Sequence, residues 1–329
     1  MILLLGSHGF LGTSLSKSLN KKNLLRIDIR SKKKNEKINI NDYTKLEKVF
    51  KYNKIKNVIN CVCEPATSTN KQKIFETNFY ATKNLIKLCK KYKVQKLVFF
   101  STSAIWVSDY KKPVTEKTKY FPVEDYGKSK IMAENVIINS NLKNWVIFRI
   151  PMIVSQNRLG ILSILFEFII NNKKIPILGN GKNNLQFIHI DDLVNFVKKS
   201  LSIKEKEIYN LASQEIITFK KLILSLIKST GSQSKILSFY DFGISKFFLI
   251  LNYFRLSPLN IYHIKMLRYS FTMNCNKIFK RYKMKTKIKT SSMMIEALRN
   301  YQNKKKDNIK SEITKPIKMG IFKIIFKLF

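Results

Sequence analysis

The sequence predicts an α/β fold in which a doubly wound parallel sheet is followed by a smaller C-terminal lobe. Three observations lead there. Short apolar runs alternate with amphipathic helical stretches from residue 1 to about 150. The runs are continuously apolar, as strands covered on both faces must be, and do not alternate with polar residues. Three glycines, Gly6, Gly9 and Gly12, punctuate the junction between the first run and the first helix.

Taken in order, MILLL is the first strand, LGTSLSKSL the first helix, NLLRIDI the second strand and YTKLEKVFK the second helix. NVINCVC, the helix FYATKNLIKLCKKY, the strand KLVFFS and the run WVIFRIPMIV (145–154) complete this half. The pattern then loosens into a helical LSILFEFIINN, a turn-rich GNGKNN, a strand LQFIHI and a helix starting at Asp191. The expected division is therefore 1–150 for the sheet domain and 151–301 mainly for the second lobe, with some segments returning to the sheet. Residues 302–329 form a basic linker and an amphipathic tail.

KFFLILNYF (246–254) is shorter than the roughly 20 residues of a membrane span and reads as a buried helix. The tail KPIKMGIFKIIFKLF (315–329) alternates Lys with Ile, Phe and Leu. That pattern suits either a membrane interface or a terminal helix docked on the body or on a partner subunit. The opening segment lacks the pattern of a secretory leader, so a cytoplasmic location is expected, with peripheral contact at the inner face of the membrane if the tail binds lipid.

Lys and Arg number 62 against 21 Asp and Glu, a formal charge of +41. Such a field attracts anions of every kind. The lysines are scattered, however, and Lys, Asn and Ile are abundant together, so a solvated basic surface is expected and no nucleic-acid partner. Cys61, Cys63, Cys89 and Cys275 form neither a disulfide framework nor a zinc spacing, and no metal site is expected.

The glycines have a specific chemical use at a strand–helix junction. Gly6 makes the tight turn, Gly9 lets backbone approach a pyrophosphate, and Gly12 lets the helix pack close to the sheet. The next strand ends in Asp28, where a carboxylate can accept both ribose hydroxyls of NAD and would repel a 2′-phosphate; Arg30 leaves room for NADP. In YGKSK, Tyr126 and Lys130 stand four apart on a helix and so share a face, where an ammonium near the phenol would lower its pKa. KLVFFSTSAIW (96–106) sets Ser101, Thr102 and Ser103 at the C-terminal end of a strand, where a doubly wound sheet binds its ligands.

Together these residues resemble the extended short-chain dehydrogenase/reductase family, the NAD-dependent epimerases and dehydratases built on a Rossmann fold, from Met1 to about Tyr301. The resemblance implies that GSHGFLG binds the cofactor through Gly6, Gly9, Phe10, Leu11 and Gly12, and that Asp28 binds its ribose. Asn39 and Ile40 stand in the adenine-contacting segment, with Asn39 in place of the usual Asp. Cys61 and Val62 lie at a strand end where the family is Ala-rich, Asn78 matches the Asn-x-x-Gly-Thr helix, and Pro151 closes the set. With Ile105-Trp106 matching the family's Val-Tyr, the catalytic hydroxyl falls on Thr102, and Ser103 is the alternative register.

The family mechanism implied is that Tyr126 moves the proton of a substrate hydroxyl, Thr102 hydrogen-bonds the same oxygen, and Lys130 tunes the phenol and holds the nicotinamide ribose. A sugar-nucleotide substrate, a role in surface-polysaccharide synthesis and a homodimer are implied by the family alone. Cys61 and Cys63 are read as packing, His189 as an interior hydrogen-bonding residue, and Asp191-Asp192 as a helix N-cap. Glu64, Glu116 and Glu124 are further acid–base candidates.

Two departures bear on substrate. Leu185 stands where an Arg normally grips the substrate's phosphates, and Met152 near a nucleotide-contacting Asn, leaving Lys182 or Arg158 to compensate. The alternatives are a hydroxysteroid-dehydrogenase-like enzyme acting on an apolar or lipid-linked substrate, and a non-catalytic dinucleotide-binding scaffold that uses its basic surface on RNA.

Overall fold

A computed structural model of the protein describes residues 1–156, 162–239 and 261–306. Arg158, the apolar run 246–254 and the tail 315–329 lie outside the described residues.

Strands β1 (Ile2–Leu5), β2 (Leu24–Ile27), β3 (Asn57–Asn60), β4 (Lys96–Thr102) and β5 (Trp145–Ile150) alternate with helices α1 (Phe10–Ser18), α2 (Tyr43–Tyr52), α3 (Lys71–Phe75), α4 (Ala81–Lys91) and α5 (Asp125–Ile138). A single π turn, Glu76–Tyr80, joins α3 to α4. The run 145–154 breaks at Pro151-Met152 into β5 and the short β6 (Ile153–Val154), because Pro151 has no N–H to donate to a ladder. The second lobe carries α6 (Leu162–Ile170), β7 (Ile175–Leu178), β8 (Asn184–Leu185) and β9 (Ile188–His189). The single strand expected over LQFIHI is thus two short ones, and the next helix, α7 (Ile190–Ser200), starts one residue before Asp191.

The chain then returns. β10 (Lys206–Asn210) pairs parallel with β5 and completes a six-stranded, all-parallel sheet of order β10-β5-β4-β3-β1-β2. Succession reverses at β1, whose neighbours are β2 and β3, so the crevice beyond the C-terminal ends of β1 and β3 is the topological switch point.

Alternation along the strands explains both faces. Leu4, Val98, Phe100, Val146 and Phe148 pack with Leu11 and Leu15 of α1 and Leu193 and Val197 of α7. Leu3, Leu5, Phe99 and Ile147 pack on the other face with Phe50 of α2, Leu85 of α4 and Ile137 of α5. The second lobe has its own core, in which Phe166, Leu185, Leu222 and Met294 meet. Each fully buried aliphatic or aromatic side chain contributes about 1.5–3 kcal/mol. No helix among the described residues is long and apolar enough to cross a membrane.

A buried ion pair locks the sheet to the helix that follows β4. Arg149 on β5 and Glu134 on α5 are both fully enclosed, with Nε–Oε1 at 3.0 Å and Nη2–Oε2 at 2.6 Å. Arg149 also donates to the Glu116 carbonyl at 2.9 Å and to the Tyr120 hydroxyl, and its guanidinium stacks on Trp106 and Tyr120.

Removing one partner of such a pair strands a charge in the core, at a cost of about 3–5 kcal/mol. Glu134→Gln is expected to lower unfolding free energy by that amount in urea titrations followed by circular dichroism. A loss under about 1 kcal/mol would show that solvent or a neighbouring carbonyl replaces Glu134 without strain.

Candidate active site

The glycine turn sits at the switch point. Gly6 has φ +77°, and its amide donates to the Ile27 carbonyl at 2.8 Å. A Cβ on Gly6 would stand 3.0 Å from the backbone of Cys61 and Val62, and one on Gly12 would stand 2.0 Å from the Gly6 carbonyl. Side chains are therefore excluded from this junction by position, and Gly9, the N-cap of α1, supplies no capping side chain of its own. Phe10 and Leu11 open α1, with Leu11 buried against the sheet.

Asp28 lies just past β2 and is buried. Its carboxylate accepts the backbone N–H of His8 at 2.9 Å and of Arg30 at 2.8 Å, and the Arg30 guanidinium at 3.1 and 3.2 Å. Burial works against its charge, but the Arg30 contacts and the His8 amide outweigh it and hold the carboxyl below the usual carboxylate range. Arg30 is itself more than half exposed, so it is free to yield that carboxylate to a ligand. Nearby, Asn39 is exposed and caps its own turn through the Asn41 N–H, while Ile40 is buried beneath it.

Beyond β3, Cys61 and Val62 are half-buried and Cys63 is exposed. Asn78, buried on the π turn, fastens this loop. Its amide donates to the Glu64 carbonyl at 3.0 Å and to Ser129 Oγ at 3.1 Å, and its oxygen accepts the Glu64 N–H at 2.8 Å. Asn78 therefore ties the β3 loop to α5, one turn from Tyr126.

Thr102 ends β4 with its hydroxyl beside the Tyr126 phenol, and that hydroxyl accepts the Ala104 N–H at 3.1 Å. α5 approaches closely enough for this because Gly127 has no side chain; a Cβ there would stand 2.6 Å from the Ala104 carbonyl. Ser103, the alternative register, does not meet Tyr126 and instead lies 3.4 Å from the hydroxyl of Tyr262. Lys130 is buried, but its ammonium donates to the Phe100 carbonyl at 2.8 Å and sits over the Phe99 ring.

In this structure the Lys130 ammonium is taken up by the Phe100 carbonyl, and other groups act on the phenol. Burial pushes Tyr126 well above the ordinary phenol range, Cys63 adds in the same direction, and Thr102 opposes them. Cys63 Sγ lies 3.8 Å from the phenol oxygen. The sequence reads Cys63 as packing; the signal that points to this contact is its place just past the β3 end at the switch point.

The acidic candidates separate. Glu116 accepts the Asn210 N–H at 2.9 Å and belongs to the Arg149 network, and Glu64 pairs with Lys73 at 3.2 Å. Glu124, just ahead of α5, is the one beside the phenols; burial raises its carboxyl, against the N–H groups of Tyr262 and Ile261. His189, rather than the Asp pair, caps α7 by accepting the Asp191 N–H on Nδ1 at 3.2 Å. Asp192 instead accepts the N–H groups of Lys287 and Ile288, tying the C-terminal segment to α7. Pro151 lies between β5 and β6, partly buried. Leu185 is buried in the second core, Met152 packs against that core, and Lys182 is exposed.

The family model for NAD-dependent epimerases and dehydratases matches residues 2–212. An uncharacterized protein of Sinorhizobium fredii is 30% identical over 212 residues, 64% of this chain and 54% of that protein. Human sterol-4-alpha-carboxylate 3-dehydrogenase, decarboxylating, is 30% identical over 148 residues, 43% of this chain and 40% of the enzyme. The dTDP-D-glucose 4,6-dehydratase of Dictyostelium discoideum is 29% identical over 236 residues, 59% of this chain and 54% of the enzyme. The chain spans about half the length of these curated relatives. Among solved structures, the Bordetella bronchiseptica enzyme WbmG in complex with NAD and UDP has a TM-score of 0.76 at 16% identity, covering 96% of this chain and 99% of its own. The UDP-glucose 4-epimerase of Thermotoga maritima with UDP-glucose has 0.73 at 17% identity, covering 92% and 98%. At these identities the structures establish the shared fold, and the family match over 2–212 carries the assignment. The chain belongs to the NAD-dependent epimerase/dehydratase family, within the extended short-chain dehydrogenase/reductases that its glycine turn and Tyr126–Lys130 pair resemble.

Proposed function

We propose that the protein is an NAD-dependent enzyme that epimerises or dehydrates a sugar nucleotide. The observation that carries this is the convergence of the Thr102 hydroxyl and the Tyr126 phenol at the C-terminal end of β4, beside a glycine turn at the switch point. A scaffold that only bound dinucleotide would have no use for a half-buried phenol beside a threonine hydroxyl.

The residues present fit NAD. The turn at Gly6 and Gly12 leaves space that a Cβ would fill, and Asp28 offers a buried, ionised carboxylate at the end of β2. Gly6, Gly9, Phe10, Leu11 and Gly12 would hold the pyrophosphate side, Asp28 the ribose, Asn39 and Ile40 the adenine side, and Cys61, Val62, Asn78, Lys130 and Pro151 the remainder. When bound, the cofactor supplies the hydride acceptor and donor.

The chain's own part is proton management. Thr102 fixes the substrate oxygen and the phenol in one line, and Tyr126 takes or returns that oxygen's proton. Since burial holds the free phenol protonated, it stands ready to donate, and it must lose its proton to act as a base. The buried ammonium of Lys130, one helical turn away, favours that loss once it turns from the Phe100 carbonyl.

A second substrate class has one observation behind it. Leu185 is buried in the apolar core of the second lobe, so no phosphate grip stands at that position. That is compatible with an apolar hydroxy substrate.

Tyr126→Phe is expected to keep NAD affinity, read by calorimetry, while lowering turnover of UDP- or dTDP-glucose by about 10²–10⁴-fold. Normal turnover by the variant would refute the mechanism. Cys63→Ala removes a group that raises the phenol's pKa, so the variant's phenol loses its proton at lower pH. The alkaline rise of kcat should therefore move to lower pH, and an unmoved limb would show that Cys63 and Tyr126 are uncoupled.

A further inference from the structure

A cavity of about 390 Å³ lies between α7 and the chain at 284–287, and neither the glycine turn nor the loops after β3 and β4 line it. Its volume falls in the range of roughly 300–1,000 Å³ that small-molecule sites occupy, at the low end. One wall is a single face of α7, where Asn195, Phe196 and Lys199 follow one another at helical spacing with Lys198 beside them. The opposite wall is Met284, Lys285 and Lys287.

Both walls are fixed. Phe196 is buried and stacks on Tyr282 with centroids 6.0 Å apart, and it tilts against Phe279 at the same distance. In the facing segment Thr286 is buried; its Oγ1 accepts the Gln214 N–H at 3.0 Å and its carbonyl accepts the Gln214 side-chain amide at 2.8 Å. Asp192 accepts the N–H groups of Lys287 at 3.0 Å and of Ile288 at 2.9 Å. Alternate side chains of an extended chain point the same way, so burying Thr286 turns Lys285 and Lys287 outward together.

Four ammonium groups, from Lys198, Lys199, Lys285 and Lys287, therefore rim one concave and partly apolar surface. All four side chains are exposed, and among the described residues none of them pairs with a carboxylate. Asp192, the carboxylate in the lining, is committed to backbone amides. Like charges held together repel, and a cleft lined by one sign concentrates ions of the other. The occupant is accordingly an anion. A second copy of this chain, or its own tail at 315–329, carries the same sign as the rim.

We propose that this cleft binds an organic di- or triphosphate of nucleotide size, at a place separate from the NAD and sugar-nucleotide positions described above. The lysines of the two rims meet the phosphates as point charges, and the adaptable thioether of Met284 meets the apolar part of the ligand. From Asp192 to Lys199 the helix runs about 10 Å at 1.5 Å per residue, room for a short phosphate chain and one ring system and too little for a nucleic-acid strand of several units. Nothing in this inference depends on Tyr126.

The test uses the full chain saturated with NAD and UDP, in about 150 mM salt so that distant surface charges are screened. Binding of N-methylanthraniloyl-GTP is followed by fluorescence anisotropy, with inorganic triphosphate as competitor. One further nucleotide should bind in the micromolar range and be displaced by the triphosphate. Lys199→Glu combined with Lys285→Glu should weaken binding at least about tenfold, since each reversal sets like charges face to face. Lys48→Glu combined with Lys51→Glu makes the same change in net charge on the exposed side of α2 and should weaken it less than about twofold. Circular dichroism melts check that both double variants are folded.

Equal losses in the two double variants would reduce the effect to the overall field of the protein and overturn the proposal. So would the absence of any nucleotide bound beyond NAD and UDP. Sedimentation with phosphatidylglycerol vesicles that is lost in the Lys199→Glu, Lys285→Glu variant, without nucleotide binding, would overturn it as well, because the partner would then be a membrane.

Discussion

The site depends on a charge that the protein cannot expose. Arg149 is sealed between β5 and α5, and Glu134 together with the Glu116 carbonyl, the Tyr120 hydroxyl and the Trp106 ring meets its hydrogen-bonding and stacking capacity. These partners come from three parts of the surround of the β4 end. Trp106 closes the turn after Thr102, Tyr120 and Glu116 belong to the segment that leads into α5, and Glu134 lies two turns beyond Tyr126 on that helix. Satisfying one guanidinium therefore fixes the distance between the Thr102 strand end and the Tyr126 helix. Gly127 lets them close to that distance by keeping Cβ away from the Ala104 carbonyl. The pair's merit is specificity of arrangement, since an apolar substitute of equal volume would pack as well.

What could be read from the sequence follows from what is local. Continuous apolar runs dictate strands covered on both faces, and that sheet is present with its order reversing where the glycines stand. Gly6, Gly12 and Asp28 could be placed because each answers to backbone geometry or to a strand end. The preference for Thr102 over Ser103 rests on the register that Ile105 and Trp106 set in the family resemblance.

What could not be read depends on contacts between distant residues. Helical spacing shows that Tyr126 and Lys130 share a face, but the nearer acceptor for Lys130 is the Phe100 carbonyl. The same holds for His189, whose ring reaches the Asp191 N–H before either Asp can cap the helix. Cys63 and Tyr262 come from segments 63 and 136 positions from Tyr126, and no periodicity connects them.

The charge balance bears on how an enzyme of this kind could do without an Arg at Leu185. Carboxylates are scarce, and buried or partly buried ones are committed: Asp28 to Arg30, Glu134 to Arg149, Glu205 to Lys96 and Tyr282, Asp192 to backbone amides. With 62 basic and 21 acidic residues in the chain, most lysines among the described residues face solvent. A field of that sign concentrates anionic ligands near the surface and speeds their capture without any single fork-shaped contact. Such attraction weakens with salt, because the Debye length falls to about 8 Å at physiological ionic strength. A grip by one buried Arg would be screened far less. An anionic substrate held by this diffuse field would therefore owe its encounter rate to the lysines and its orientation to the hydroxyls at the end of β4. That division leaves position 185 free to be apolar and to fill the core of the second lobe.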